Sequence, residues 1–166
     1  MIRFIKPLAL LSLLLAAALF GFFYAWVCST MWGLDAADPR VAIEAMQAMN
    51  ASVRNAVFAP AFFGTSIALL VTTMVLFKDD QHPSAYWFTA ATLLVALLGV
   101  ALTMAVNVPM NEALALVAVP EDIDAAQAIW DDYSPKWQLW NQVRTVATGV
   151  AVLCIGIGML NLRPLG

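Results

Sequence analysis

Four apolar runs limit what this chain can fold into more than any other feature. They fall at about residues 7–27, 56–77, 85–106 and 145–162. As a helix rising 1.5 Å per residue, each crosses about 30 Å of hydrocarbon. A helix is one of two structures that satisfy every backbone hydrogen bond inside lipid. Composition points the same way. Of the 166 residues, 63% are hydrophobic and 11% are charged, against about 25% charged in a soluble domain. Too little polar surface remains to cover a water-soluble globule. The chain reads as all-α: one integral membrane domain, residues 1–166, folded as a four-helix bundle.

The first run follows Arg3 and Lys6, as a signal peptide would. Its apolar core is longer than the roughly 7–15 residues of a signal's hydrophobic region, and bulky Trp26 in "AWVC" spoils the cleavage site. It reads as a retained span. Basic residues near the span ends set orientation. Arg3, Lys6, Lys78 and Arg163 fall on one side and Arg40, Arg54, Lys136 and Arg144 on the other. The flank of the first span tips this balance, placing both termini in the cytoplasm and the two acidic loops outside.

Those loops carry helical patterns. Asp38 is a natural N-cap and Pro39 suits the first helical position. Val41, Ala45, Met49 and Val53 then recur at helical spacing, giving an outer amphipathic helix over residues 38–55 that runs into the second span. Pro60 inside that span predicts a kink. The second outer loop, residues 109–143, predicts a short acidic helix broken at Ser134-Pro135, where Ser134 caps and Pro135 opens the next helix. If helical phase survives the proline, Trp130, Tyr133, Trp137, Trp140 and Arg144 line one face. Trp130 and Trp140 also fit an interfacial aromatic belt. Arg144 lies deeper, where a charge faces the bundle and takes a partner or snorkels to water. "MNASVRNAV" and "LWNQVRTVA" echo each other faintly and would set Arg54 and Arg144 at matching depths. Small residues are expected to mediate helix packing: Ala17, Gly21 and Ala25 on the first span, Pro60, Gly64 and Ala68 on the second, Ala91 and Gly99 on the third, and Gly149, Gly156 and Gly158 on the fourth.

The polar residues gather at the outer mouth: Arg54, Asn55, Asn107, Asn111, Glu112, Tyr133, Asn141 and Arg144, with Trp137 beside them. In "NVPMNEAL" the two asparagines are four apart and share a helical face, while Pro109 between them removes an N–H. Glu112, turned inward, would need Arg144 or Arg54. This cluster reads either as a structural clasp for the cap or as a pocket for a flat phenolic or quinone-like molecule. In the pocket, tryptophans would stack on the ligand and an arginine would stabilise its anion. Proton transfer would fall to Glu112, Tyr133 or an outer aspartate. The single histidine, His82, lies in the cytoplasmic turn and excludes a histidine pair. Met31, Met46, Met49, Met104 and Met110 invite a copper site, but no histidine accompanies them at ligand spacing, and packing explains them better. Cys28 and Cys154 have neither zinc nor redox spacing. No basic run supports nucleic-acid binding, and the spans carry too few polar residues to line a transport path.

Three stretches, "AMQAMNASVRNAVFAPAFF", "NVPMNEALA" and "YSPKWQLWNQVRTVA", resemble the anthrone-oxygenase-like family of small four-span membrane proteins. They match its Asn-and-Pro entry to the second span, its Asn-x-Pro-x-Asn after the third, and its Trp-x-x-x-Asn-x-x-Arg into the fourth. The resemblance implies that Asn107, Pro109, Asn111, Trp137, Asn141 and Arg144 are family positions. It implies a bacterial inner membrane and oxidation of an anthrone to an anthraquinone by dioxygen, with no metal or flavin cofactor. Arg144, Glu112 and Tyr133 would then carry the chemistry. Asn107, Asn111, Trp137, Asn141, Arg54 and Asn55 would hold a lipophilic aromatic ligand. The family's aromatic-plus-histidine pattern near the last span is replaced here by Trp137 and Trp140. The competing class is a non-catalytic membrane protein that binds lipid or quinone or serves as a structural partner.

Overall fold

The computed structural model describes residues 4–163; Arg3, used above for orientation, lies outside them. In chain order the helices are α1 (Ile5–Asp35), α2 (Pro39–Ser52), α3 (Phe58–Lys78), α4 (His82–Ala115) and α5 (Ile123–Leu160). All but α2 are long and apolar enough to cross a membrane. The protein is a multi-pass membrane protein. α1 packs on α3 and α5, and α4 packs on the same two, so the long helices follow one another around a ring. Leu19, Phe23, Leu69, Phe88, Val95 and Ile155 fill its centre. Hydroxyl pairs cross the interior between Ser12 and Thr72 (3.0 Å) and between Thr73 and Thr92 (3.3 Å). In lipid, such pairs hold helices together where hydrophobic burial cannot.

One end of the ring is tight. α3 and α4 are joined by a short turn in which Asp80 takes φ 56°, a conformation aspartate tolerates better than most residues. Exposed His82 in this turn sits 3.6 Å from the Asp80 carboxylate. The Gln81 side chain accepts a bond from the Arg163 N–H (3.0 Å), fixing the end of α5 against the turn. The other end is uneven. α3 has 21 residues, while α1, α4 and α5 have 31, 34 and 38. At 1.5 Å per residue α3 covers about 31 Å, the hydrocarbon thickness and no more. The other three long helices project further, and α2 lies against α5 and the end of α4. The link of residues 53–57 and the end of α2 close the corner above α3.

Several expectations are corrected here. Asp38 does cap α2, accepting from the Arg40 N–H with Pro39 in the first turn. Its buried face, however, is Pro39, Ala42, Ile43, Met46 and Asn50, while Val41 points outward. α2 does not run into the second span; it stops at Ser52. Pro60 does not kink that span, because it lies in the first turn of α3, where its missing N–H is not needed. α5 is not broken at Ser134-Pro135, and Ser134 bonds the Asp35 carboxylate instead of capping. Helical phase survives the proline. Trp130, Tyr133, Trp137, Asn141 and Arg144 are buried, so Asn141 replaces half-buried Trp140 on the inner face.

Of the small residues, Gly149 faces Phe20, Gly99 touches Thr148, and Gly158 lies under Phe88. Gly21, Gly64 and Gly156 meet nothing, and Ala17 and Ala25 are exposed. A Cβ on Gly158 would sit 2.8 Å from the Phe88 ring. Gly158→Ala is therefore expected to destabilise the bundle by about 1–3 kcal/mol, an overpacking cost, while Gly21→Ala leaves thermal unfolding in detergent unchanged. Equal effects at both positions would contradict this packing.

The Arg40 side chain, aided by its backbone N–H, holds the Asp38 carboxyl down at about 2. A depressed folded value gives stability that is present above the ordinary carboxylate range of about 4 and lost as pH falls through about 2. Unfolding curves of wild type and Asp38→Ala are expected to differ at pH 6 and to approach one another in that acid window.

Candidate functional site

The corner above α3 holds a cavity of about 1060 Å³. Its walls come from Phe22, Phe23 and Trp26 of α1, Phe58 and Phe62 of α3, Thr103 and Met104 of α4, and Trp137 and Arg144 of α5. The link of residues 53–57 roofs it. Two of these walls contain π-helical turns, at Trp26–Thr30 in α1 and at Leu94–Ala101 and Thr103–Asn107 in α4. Such wide turns rotate the side chains beyond them and concentrate at functional sites. The last of them ends just before Pro109, which cannot donate to the preceding turn.

Arg144 is 4% exposed and does not snorkel. Counted from Leu160 at the tight end, it lies about 24 Å along α5, inside the slab that α3 defines. Nη1 donates to the Thr103 hydroxyl (3.1 Å) and Nη2 to Asn141 Oδ1 (2.9 Å). Its guanidinium carbon lies 4.6 Å from the Phe23 ring centre and 5.3 Å from that of Trp137. Nε has no partner. Among the described residues no carboxylate pairs with it; Glu112 pairs with Arg54 instead, at 3.2 Å and with both side chains more than half exposed. Arg144 is thus a buried cation facing a cavity, balanced only by ring faces and neutral dipoles.

Asn111 is the hub behind this wall. Its Oδ1 accepts from the Tyr133 hydroxyl (2.8 Å) and the Trp137 indole (2.9 Å), and its Nδ2 donates to Asn50 Oδ1 (3.0 Å). Trp137 is held at the cavity wall and packs on Trp26 with ring centres 5.0 Å apart. Asn141 Nδ2 donates to the Phe23 carbonyl (3.1 Å), joining α5 to α1 while its oxygen orients Arg144. A second clasp lies nearby. Asp35 accepts from the Trp130 indole, the Ser134 hydroxyl and the Gln138 amide at 2.7–2.9 Å. Buried Trp130 is therefore part of the cap, not of an interfacial belt.

The residues singled out from the sequence divide into groups. Arg144, Asn111, Trp137, Glu112, Arg54 and Asn55 line the cavity. Tyr133 stands behind Asn111 with its proton donated to it. Asn55 spends its amide on the backbone, accepting from the Val57 and Phe58 N–H groups and donating to the Ser52 carbonyl. Asn107 is 1% exposed and does not line the cavity, and neither polar atom of its side chain has a partner. Arg54 is exposed on the link while Arg144 is buried, so their matching depths are not found. Of the methionines, Met31 and Met46 pack in the core beneath α2, and Met104 is half exposed. Missed from the sequence were Asn50, Asp35, Thr103, Phe23 and Trp26.

A family model for anthrone oxygenase matches residues 46–154. The chain belongs to that family. No curated protein and no solved structure matches it. The matched stretch runs from α2 into α5, so it contains the Asn111 hub, the Arg54–Glu112 pair and Arg144 with its two hydrogen-bond partners. It omits α1, which supplies the Phe23 and Trp26 faces of the cavity.

The two asparagines of "NVPMNEAL" are expected to respond oppositely. Asn111→Leu leaves the Tyr133 and Trp137 donors unpaired and should cost about 1–3 kcal/mol. Asn107→Leu removes two unpaired buried atoms and should be neutral or stabilising. Thermal unfolding of both variants decides this; a loss at Asn107 as large as at Asn111 would contradict it.

Proposed function

We propose that the protein is a cofactor-independent oxygenase acting on a lipophilic phenolic or anthrone-like molecule bound in the capped cavity. The observation that carries this reading is Arg144, a buried cation with an unpartnered Nε and, among the described residues, no carboxylate beside it, on the wall of a mainly apolar pocket rich in aromatic rings. A buried charge costs free energy unless paired, and a ligand that becomes an anion supplies the pair. An anthrone loses a proton from its central CH₂ to give an enolate. The enolate carbon then forms a bond to dioxygen, and the resulting hydroperoxide loses water to leave the quinone carbonyl. One dioxygen is consumed and one water released.

In this scheme Arg144 holds the enolate oxygen and lowers the cost of ionisation, as preorganised charge does for developing oxyanions. Trp137, Trp26 and Phe23 line the cavity as an aromatic wall against which the flat rings pack. Asn111 fixes Trp137, Tyr133 braces Asn111, and Asn141 and Thr103 aim the guanidinium. Glu112, at the cavity mouth beside Arg54, takes the proton. With the termini in the cytoplasm of a bacterial cell, the capped end lies on the outer face of the inner membrane. The second reading, a non-catalytic binder of quinone or lipid, is favoured by one observation: Glu112 is exposed and already paired, a modest position for a base.

Arg144→Met separates these readings from a purely structural clasp. It removes an unpaired buried charge at similar length but leaves the Asn141 Oδ1 without its donor, so thermal stability is expected to change little. Oxygen uptake with 9-anthrone should fall by about 10²–10³-fold, the scale of a lost oxyanion donor. A binder would show no uptake in the wild type either. A structural clasp would show a clear loss of stability on Arg144→Met.

A further inference from the structure

We infer that the cavity is filled sideways from the bilayer, through an opening between the start of α3 and the Thr103–Asn107 segment of α4. This concerns the ligand's route and rests on the proposed site for the ligand's identity. α3 and α4 pack together along α4 through Leu94–Ala101, and the next segment, Thr103–Asn107, packs on α5 instead. The two helices therefore part as they approach the capped end. The residues at the parting line the cavity and also face outward: Phe63 is 49% exposed and Met104 50%. Val57, on the link above them, is 87% exposed and also lines the cavity.

Depth decides what this opening faces. α3 spans the hydrocarbon with no residues to spare, so Phe63 lies about 8 Å inside its upper boundary. Met104, counted from His82 at the tight end, stands about 33 Å along α4, level with that boundary. The sill thus runs from the hydrocarbon boundary at Met104 into the lipid at Phe63, and both residues are apolar. The water-facing rim is marked instead by the exposed Arg54–Glu112 pair on the link and α4. A charged solute would not leave water for an apolar sill. The opening suits a flat aromatic molecule that is uncharged in the bilayer and ionises only on reaching Arg144.

The test uses full-length protein in phosphatidylcholine vesicles. Met104→Cys in a Cys28→Ser background, labelled with bimane, should be quenched by phosphatidylcholine carrying a nitroxide at acyl carbon 5 and little by aqueous iodide. Iodide quenching without nitroxide quenching overturns the inference. A second measurement follows the entry of 1-aminoanthracene, a neutral flat probe, by stopped-flow fluorescence. Phe63→Trp combined with Met104→Phe should slow its binding at least fivefold, while Leu70→Trp, on the lipid face below, leaves it unchanged. Equal rates in all three proteins also overturn it. Failure of anthrone oxygenation in the wild type would remove the enzymatic reading alone, because neither measurement depends on turnover.

Discussion

A guanidinium kept within the hydrocarbon slab without a carboxylate beside it is the constraint around which this fold is arranged. Lipid gives no solvation to offset the charge, so the chain assembles a substitute from two aromatic faces, a threonine hydroxyl and an asparagine oxygen. Each comes from a fixed element. Phe23 is set by the packing of α1 on α5, Thr103 by a wide turn in α4, and Asn141 and Trp137 by their phase on α5. Trp137 is held in turn by Asn111, and Asn111 by Tyr133 and Asn50. The hydrogen-bonded network therefore reaches from α2 to Trp137, whose ring lies against the buried cation, and the Arg144 Nε is left without a partner.

The cavity exists because one helix is short. α3 ends where the hydrocarbon ends, and its neighbours continue. A fourth helix of matching length would close the corner with side chains; here a five-residue link and the Arg54–Glu112 pair do so from the edge. Unequal helix length thus converts a packed four-helix bundle into a bundle with a pocket, at the depth where a lipid-dissolved molecule meets interfacial polar groups.

Much of this was legible in the sequence because lipid imposes simple rules. Four long apolar runs, an Asp-Pro cap at Asp38 and the periodic inner face of residues 130–144 all follow from hydropathy and helical phase. The family motifs name Asn107, Asn111, Trp137, Asn141 and Arg144; Asn111, Trp137 and Arg144 line the cavity, Asn141 holds Arg144, and Asn107 lies apart. What stayed hidden depends on geometry that a 3.6-residue period does not encode. Wide turns begin at Trp26 in α1 and at Thr103 in α4, and no residue pattern announces them. Pro135 reads as a helix breaker, yet α5 passes through it because its flanking turns are clamped by Asp35 to Trp130, Ser134 and Gln138. Asn107 and Asn111 look equivalent in sequence, but only Asn111 reaches partners on α2 and α5. The stripe of Ala17, Gly21 and Ala25 has the spacing of a packing ridge, and Phe23 and Leu19 on the next face take that place instead.

The central claim is that Arg144 stabilises an anion formed in the pocket. The most direct measurement is the absorption spectrum of 9-anthrone bound to the protein under anaerobic conditions near neutral pH, where oxidation cannot proceed. The account predicts the spectrum of the enolate with wild-type protein and that of the neutral ketone with Arg144→Met at equal occupancy. A neutral ketone spectrum on saturated wild-type protein would contradict it.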